Sequence, residues 1–299
     1  MDTEILNITS IDEYNKFFGF ETLHPQVSVV DFSATRPSKP YRMNLGFYAL
    51  FLKEGLCGEL LYGRGSYDYQ EGTIVCYGPG QIIGLKNVNK APNVASSIGV
   101  LFSPEFIRGT SLGQRIKEFS FFSYSVNEAL HLSDEERDIV KDCIRKIQIE
   151  LEHSIDKHSK RLIAMNIELL LDYCIRFYER QFITRAVVNK DVLVRFEQLI
   201  DEYFLHYAPT EGLPSVAYFA DKICLSANYF GDLIKKETGK SAIEYIQLKT
   251  MAIAKDMLTS SNKTITEIAY ELGFQYPQHF VRSFKKRVGC TPSEYRLQA

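Results

Sequence analysis

Apolar positions fall into two textures along the chain. From about Val27 to Tyr124, short apolar runs (VSVVDF, NLGFYALFL, GTIVCY, SSIGVLF) alternate with Gly, Pro and Asn at strand-like intervals, and Tyr and Phe are dense. That spacing predicts a small antiparallel barrel or jelly roll with aromatic residues on half-buried pleated faces. Residues 1–20 read as a mobile arm followed by a short segment, EYNKFFGF. The period changes at Ser133, where Ser-Asp-Glu-Glu makes a capping box and Ile139, Cys143, Ile147 and Leu151 then hold a helical stripe. A second helix is expected over about residues 157–182. Its apolar face (Ile163, Ile167, Leu170, Leu171, Cys174, Ile175, Tyr178) is wide enough to meet both the sheet and a partner chain, or to pack within the chain alone. Residues 184–190 read as a linker.

The remainder, 191–299, is helical throughout. A helix from Asp191 to about His206 and a loop, APTEGLP, lead to a short helix over Ser215 to Lys222 with Val216, Phe219 and Ala220 inward. Ser226 caps the next helix, and a long helix follows over about residues 242–258. The stretch from Thr264 to Tyr295, TITEIAYELGFQYPQHFVRSFKKRVGCTPSEY, then predicts two short helices and a tight turn. Thr264 and Glu267 make a capping box, and Ile265, Ile268, Ala269 and Leu272 form one apolar face. Gly273 stops the helix by taking a left-handed conformation, and Pro277 suits the first turn of the next. Phe280, Phe284 and Val288 make a buried stripe, while Gln278, Arg282, Lys285, Lys286 and Arg287 point elsewhere. This is the helix-turn-helix pattern, although alone it also describes an ordinary helical hairpin.

A repeat separates the two readings. Phe230, Ile234, Lys235, Lys236, Gly239, Glu244 and Tyr245 stand fifty positions before Phe280, Phe284, Lys285, Lys286, Gly289, Glu294 and Tyr295. Ala220 and Leu225 precede Ala269 and Phe274 by forty-nine, so the second turn is one residue longer. Two such units joined by a rigid helix can set recognition helices into successive major-groove turns, roughly 34 Å apart.

At these residues the sequence resembles the AraC/XylS family of bacterial transcription regulators. The second unit carries the family signature in Ile265, Ile268-Ala269, Gly273-Phe274, Phe280, Arg282, Phe284-Lys285-Lys286, Gly289, Thr291-Pro292 and Glu294-Tyr295-Arg296. The first matches more loosely, through Ala220, Leu225, Ser226, Tyr229, Phe230, Lys236, Gly239 and Tyr245. The resemblance implies a multidomain chain: an all-β cupin-like sensor barrel (1–129), a helical dimerisation segment (130–183), the linker, and an all-α DNA-binding domain (191–299) with two helix-turn-helix motifs joined by a long helix. It implies double-stranded DNA as partner, a homodimer, a small-molecule effector such as a sugar, RNA polymerase where the protein activates, and a cytoplasmic location. The family's linker helix commonly carries an arginine where this chain has Lys249, which keeps the charge and loses the bidentate fork.

The family's base-reading positions fall on Ala227, Asn228, Gly231 and Asp232 of the first recognition helix, because Tyr229, Phe230, Leu233 and Ile234 are needed inside. Asn228 suits adenine and Asp232 a cytosine amino group. On the second helix Gln278 suits adenine, Arg282 guanine or a phosphate, and Val281 a thymine methyl. Lys235, Lys236, Lys285 and Lys286 are candidates for phosphate contacts.

Composition limits the alternatives. The 299 residues are 45% apolar and 24% charged with a net charge of −2, which advertises no polyanion binder as a whole. From Leu213 to Ala299, however, twelve basic residues face eight acidic ones, a local +4. That modest excess predicts strongly salt-dependent binding that needs two subunits. The six cysteines are scattered without a CxxC, as expected of reduced thiols, and no apolar run approaches the roughly 20 residues needed to cross a membrane. A rival reading, a catalytic cupin, needs a metal held mainly by histidines; the barrel region has only His24, so no metal or cofactor is expected. Tyr62, Arg64, Tyr69 and Cys76 are candidates for a small-molecule pocket, each equally readable as a turn or core residue. A ligand-independent regulator whose barrel only dimerises would share this sequence pattern.

Overall fold

The computed structural model describes residues 5–33, 41–54, 60–62, 65–67, 72–85, 96–125, 128–154, 156–184 and 186–298. The chain divides into two compact units, Met1–Thr184 and Arg185–Ala299. Among the described residues no helix is long and apolar enough to cross a membrane.

The first unit runs β1 (Ile5–Ile8), α1 (Ile11–Phe18), β2 (Val27–Asp31), β3 (Tyr41–Leu45), β4 (Tyr48–Glu54), β5 (Leu60–Tyr62), β6 (Gly65–Tyr67), β7 (Thr73–Tyr77), β8 (Ile82–Leu85), β9 (Ser96–Phe102), α2 (Pro104–Ile107), α3 (Ser111–Arg115), β10 (Leu130–His131), α4 (Asp134–Glu152) and α5 (Ser159–Thr184). Its strands form two five-stranded sheets, β1-β3-β8-β5-β6 and β10-β7-β4-β9-β2. One core lies on their inner faces, filled by Phe32, Met43, Phe47, Phe51, Val75, Tyr77 and Leu101. β4 and β7 are buried on both faces, so they read as continuous apolar runs rather than alternating ones. On β7, Val75 and Tyr77 enter that core while the alternate residues Ile74 and Cys76 are buried outside it. The helix α5 is fastened beside β10: Gln181 accepts from the His131 N–H at 2.8 Å, and its side-chain amide donates to the Ala129 carbonyl at 3.2 Å.

Four expectations change. Among the described residues no strand pairing joins the two sheets, so the β region is a pair of sheets and not a closed barrel. The expected arm is part of the fold from Ile5: β1 pairs in parallel with β3, with Ile5 opposite Arg42. The segment after it is a helix, capped by a Ser10–Glu13 box, whose Ile11, Tyr14 and Phe18 recur at helical spacing and are buried in the inter-sheet core. Between Phe102 and Tyr124 the chain is helical rather than extended, because Ser103 and Thr110 each cap a short helix, and the last strand, β10, follows. The stretch expected as a linker is largely helical, since Ala-Val-Val-Asn-Lys holds no glycine or proline to stop a helix that begins at Ala186.

The second unit is α6 (Ala186–His206), α7 (Ala208–Glu211), α8 (Val216–Lys222), α9 (Ala227–Thr238), α10 (Ala242–Ser260), α11 (Ile265–Glu271), α12 (Pro277–Val288) and α13 (Pro292–Gln298). The loop expected at APTEGLP therefore contains a single helical turn, α7.

Gly99 tests the packing of the first core. It lies opposite Phe51 across the β4–β9 ladder, and a Cβ there would fall 2.4–2.5 Å from two Phe51 ring carbons and 3.2 Å from a Val30 methyl. Gly99→Ala should lower stability by about 1–3 kcal/mol in urea unfolding, as overpacking does; an unchanged midpoint would show that the ring moves freely.

Candidate nucleic-acid interface

Each helix pair of the second unit is set by its caps and its turn. Ser226 caps α9 through the Tyr229 N–H, and Thr264 and Glu267 form a reciprocal capping box on α11. The two turns are closed by equivalent bonds, Leu225 N–H to Ala220 O and Phe274 N–H to Ala269 O, both 2.9 Å. Both alanines are fully buried, which lets the paired helices cross closely. The left-handed residue that each turn requires is Gly273 in the second unit, at φ 84°, and Cys224 in the first, at φ 62°. Gly239 and Gly289 end α9 and α12 in the same left-handed way, their N–H groups reaching Lys235 O and Lys285 O. The extra residue of the second unit lies between turn and helix: Leu225 leads directly to the cap Ser226, whereas Gln275 separates Phe274 from the cap Tyr276.

Buried aromatics then fix which faces turn outward. Phe196 of α6 meets Phe219 and Phe230 at 5.2 and 4.9 Å between ring centres. In the second unit Phe280 is 5.4 Å from Phe274 and 5.7 Å from Phe284, and Phe284 is 5.6 Å from Tyr295. With Tyr229, Phe230, Leu233 and Ile234 buried, Ala227, Asn228, Lys235 and Lys236 are exposed on α9, and Gly231 and Asp232 are half-buried between them. With Phe280 and Phe284 buried, Gln278, Arg282, Lys285, Lys286 and Arg287 are exposed on α12 and Val281 is half-buried. Val288, expected in the buried stripe, is only half-buried, because it sits at the last turn before Gly289.

The long helix α10 is tied to α6 on one side and to α12 and α13 on the other. Lys249 lies 3.1 Å from Glu197 of α6, whose carboxylate also accepts a hydrogen bond from the Tyr245 hydroxyl. Those two donors, Tyr245 first, hold Glu197 below the usual carboxylate range. Burial, with Glu197 second, pushes the Tyr245 phenol up to about 12. Arg287 of α12 donates to Gln247, and Arg296 of α13 donates to the carbonyls of Leu258 and Lys263 at 3.0 and 2.7 Å. Lys249 therefore serves as an ion-pair partner within the domain, and Arg287 is engaged by α10.

Sequence reasoning passed over Tyr276 and His279, which are exposed at the start of α12 with ring centres 5.3 Å apart. Their place on either side of Pro277-Gln278 was the available signal.

Most of the small-molecule candidates fall outside what the structure describes. Arg64 and Tyr69 lie outside the described residues, and Tyr62 is described only as backbone in β5. Cys76 is buried outside the inter-sheet core, where burial first and Cys174 of α5 second push its thiol well up.

The family described as "Helix-turn-helix domain" matches residues 219–298. The transposon Tn10 TetD protein of Escherichia coli is 36% identical over 143 residues, covering 48% of this chain and 91% of TetD. The HTH-type transcriptional activator RhaS of Citrobacter koseri is 25% identical over 153 residues, covering 51% of this chain and 53% of RhaS. The uncharacterized HTH-type transcriptional regulator YtdP of Bacillus subtilis is 37% identical over 79 residues, 26% of this chain and 10% of YtdP. Apart from TetD, the chain thus spans about half or less of these relatives. Among solved structures, the C-terminal domain of the response regulator yesN from Fusobacterium nucleatum shares 28% identity with a TM-score of 0.30, covering 33% of this chain and 96% of that one. ToxT from Vibrio cholerae shares 15% identity with a TM-score of 0.30, covering 91% and 97%. A TM-score of 0.30 gives neither likeness weight for fold or function.

The two turns make their own test. Cys224 is the one non-glycine with positive φ among the described residues, and its counterpart is a glycine. The left-handed region costs a residue with a Cβ about 1–2 kcal/mol. Cys224→Gly should therefore raise the unfolding free energy by about 0.5–1 kcal/mol, net of glycine's greater unfolded-state entropy. A loss of stability in thermal or urea unfolding would mean that the thiol makes a compensating contact.

Proposed function

The chain belongs to the AraC/XylS family of transcription regulators, and from that premise we propose that it reads a two-part DNA site with α9 and α12 in successive major grooves and regulates transcription there. The observation that carries this reading is the matched geometry of the two helix pairs: equivalent turn bonds, equivalent buried phenylalanines, and recognition faces left outward on both. AraC-type domains bind double-stranded DNA, and the family's members are transcription regulators, not enzymes; so is this chain.

The second helix is the stronger reader. Arg282 takes guanine through O6 and N7, Gln278 takes adenine, and Val281 meets a thymine methyl. On the first helix Ala227, Asn228, Gly231 and Asp232 offer Asn228 to adenine and Asp232 to a cytosine amino group, without a cation at the base edges. Lys235, Lys236, Lys285 and Lys286 hold the phosphates and give the binding its salt dependence.

The first unit supplies assembly. Leu162, Met165 and Leu169 recur on α5 at helical spacing and are 42%, 50% and 42% exposed, an apolar stripe suited to a second copy. A homodimer brings up to four recognition helices to repeated or inverted half-sites. The two sheets read as a cupin-like sandwich, the family's place for an effector such as a sugar, and the protein works in the cytoplasm beside RNA polymerase where it activates. The aromatic filling between the described strands, Tyr14 and Phe18 of α1 included, favours a second reading in which this unit only dimerises. A thermal-shift screen of sugars and aromatic metabolites separates the two: a stabilising compound that also changes DNA affinity supports the sensor, and a screen without one supports the dimeriser.

Two substitutions rank the contacts. Arg282→Ala should remove about 1–3 kcal/mol of discrimination against other sequences at fixed salt, whereas Asp232→Ala should relax base preference at one position only. Equal losses in fluorescence anisotropy would sink the ranking. Met165→Glu should convert the dimer to a monomer in sedimentation velocity and weaken binding to a two-half-site duplex. A monomeric wild-type chain, or a variant that stays dimeric, would contradict the assembly.

A further inference from the structure

The rigid linker helix does not by itself reach the second helix-turn-helix pair. The helix α10 ends at Ser260 and α11 begins at Ile265, so a short non-helical connection separates the units. Across that connection the structure places a direct contact between the two halves. Gly273, in the turn of the second unit, abuts Gly212, in the segment that leads into the first. A Cβ on Gly273 would fall 2.5 Å from the Gly212 carbonyl carbon, 2.6 Å from its oxygen and 2.9 Å from the Ala208 oxygen. Both glycines have φ 84°, and backbone meets backbone with no side chain between. The Gly212 side is itself held: its N–H reaches Ala208 O at 3.0 Å, and its carbonyl accepts the hydroxyl of buried Tyr203 of α6 at 3.0 Å.

The flanking ties close a loop around the connection. On one side Lys249 and Tyr245 bind α10 to Glu197 of α6. On the other, Arg287 binds α12 to Gln247, and Arg296 binds α13 to the end of α10 and to the connection itself at Lys263 O. Swinging the second unit about residues 261–264 would break Arg296's bonds and drive Gly273 into or away from Gly212.

Resting on the DNA-reading assignment above, we infer that α9 and α12 are a fixed-span pair locked at the Gly212–Gly273 contact, so that each chain selects the spacing between the two parts of its own half-site as well as their bases. One base pair added between the two parts moves one of them by about 3.4 Å and turns it by about 34° around the duplex. A rigid pair cannot follow both displacements, whereas a pair on a free hinge can. Gly212 and Gly273 are then positioning residues for recognition, distinct from the side chains that touch bases.

The test uses the full chain and a randomised duplex pool. Sequences selected by the wild type are rebuilt with one or two base pairs added or removed between the parts read by α9 and α12 of one chain, and affinities are measured by anisotropy at one salt concentration. The wild type should show one optimal spacing and lose about tenfold or more at one base pair either side, the scale of a single mismatched pair. Gly273→Ala, which forces the two backbones apart, should flatten the profile to within about threefold, the contact geometry being lost. Tyr203→Phe removes only the hydroxyl that holds Gly212, keeps the ring, and should broaden the profile part of the way. If Gly273→Ala fails to fold, the wild-type series and Tyr203→Phe decide the matter. A wild type that tolerates every spacing equally overturns the inference, as do variants that lose affinity uniformly while keeping the profile. A pool from which nothing is selected overturns the DNA-reading assignment and the inference with it.

Discussion

The tight turn inside each helix pair is the constraint on which the second unit depends. A backbone N–H at Leu225 or Phe274 must reach back to the carbonyl of a buried alanine, and that reversal forces the intervening residue into the left-handed region. Once the turn is closed, the second helix can leave in only one direction, and its buried phenylalanine sets its rotation. The outward residues follow from that rotation: Asn228 beside Gly231 on α9, Gln278 and Arg282 on α12. Which side chains face outward is therefore a consequence of backbone geometry and core packing.

The first unit obeys a different constraint. Its central strands β4 and β7 must be covered on both faces, and two kinds of cover are available. The second sheet and α1 fill the inner side with aromatics, while α5, held beside β10, lies near the outer side through Cys174. The same α5 leaves Leu162, Met165 and Leu169 facing solvent. The wide apolar face expected of this helix (Ile163, Ile167, Leu170, Leu171, Cys174, Tyr178) is spent within the chain, and the exposed stripe is a separate set of residues.

Legibility followed the locality of the signal. Capping boxes at Ser133 and Thr264, the glycine at 273, Pro277 and the buried phenylalanines could be read directly because each acts within a few residues. The repeat made the domain legible, since stripe, lysine pair, glycine and Glu-Tyr recur in register. Features that depend on distant partners were not legible. The strand at Ile5–Ile8 exists only because β3 lies alongside it, and whether two sheets close depends on edges that carry no sequence signature. The side on which Cys76 is buried was not legible, because strand alternation does not say which face of a doubly buried strand is the interior. The Gly212–Gly273 contact was invisible for the same reason: each glycine is explained locally by its own turn, and only the folded chain shows that they meet.

The central claim is that one chain presents two major-groove readers to one face of DNA. Methylation interference with dimethyl sulfate, using the full chain and a selected duplex, tests it most directly because guanine N7 lies in the major groove. The account predicts two interfering patches per subunit, centred about one helical turn, or 10–10.5 base pairs, apart, with the stronger patch under α12. A single patch, or interference confined to minor-groove adenines, would contradict it.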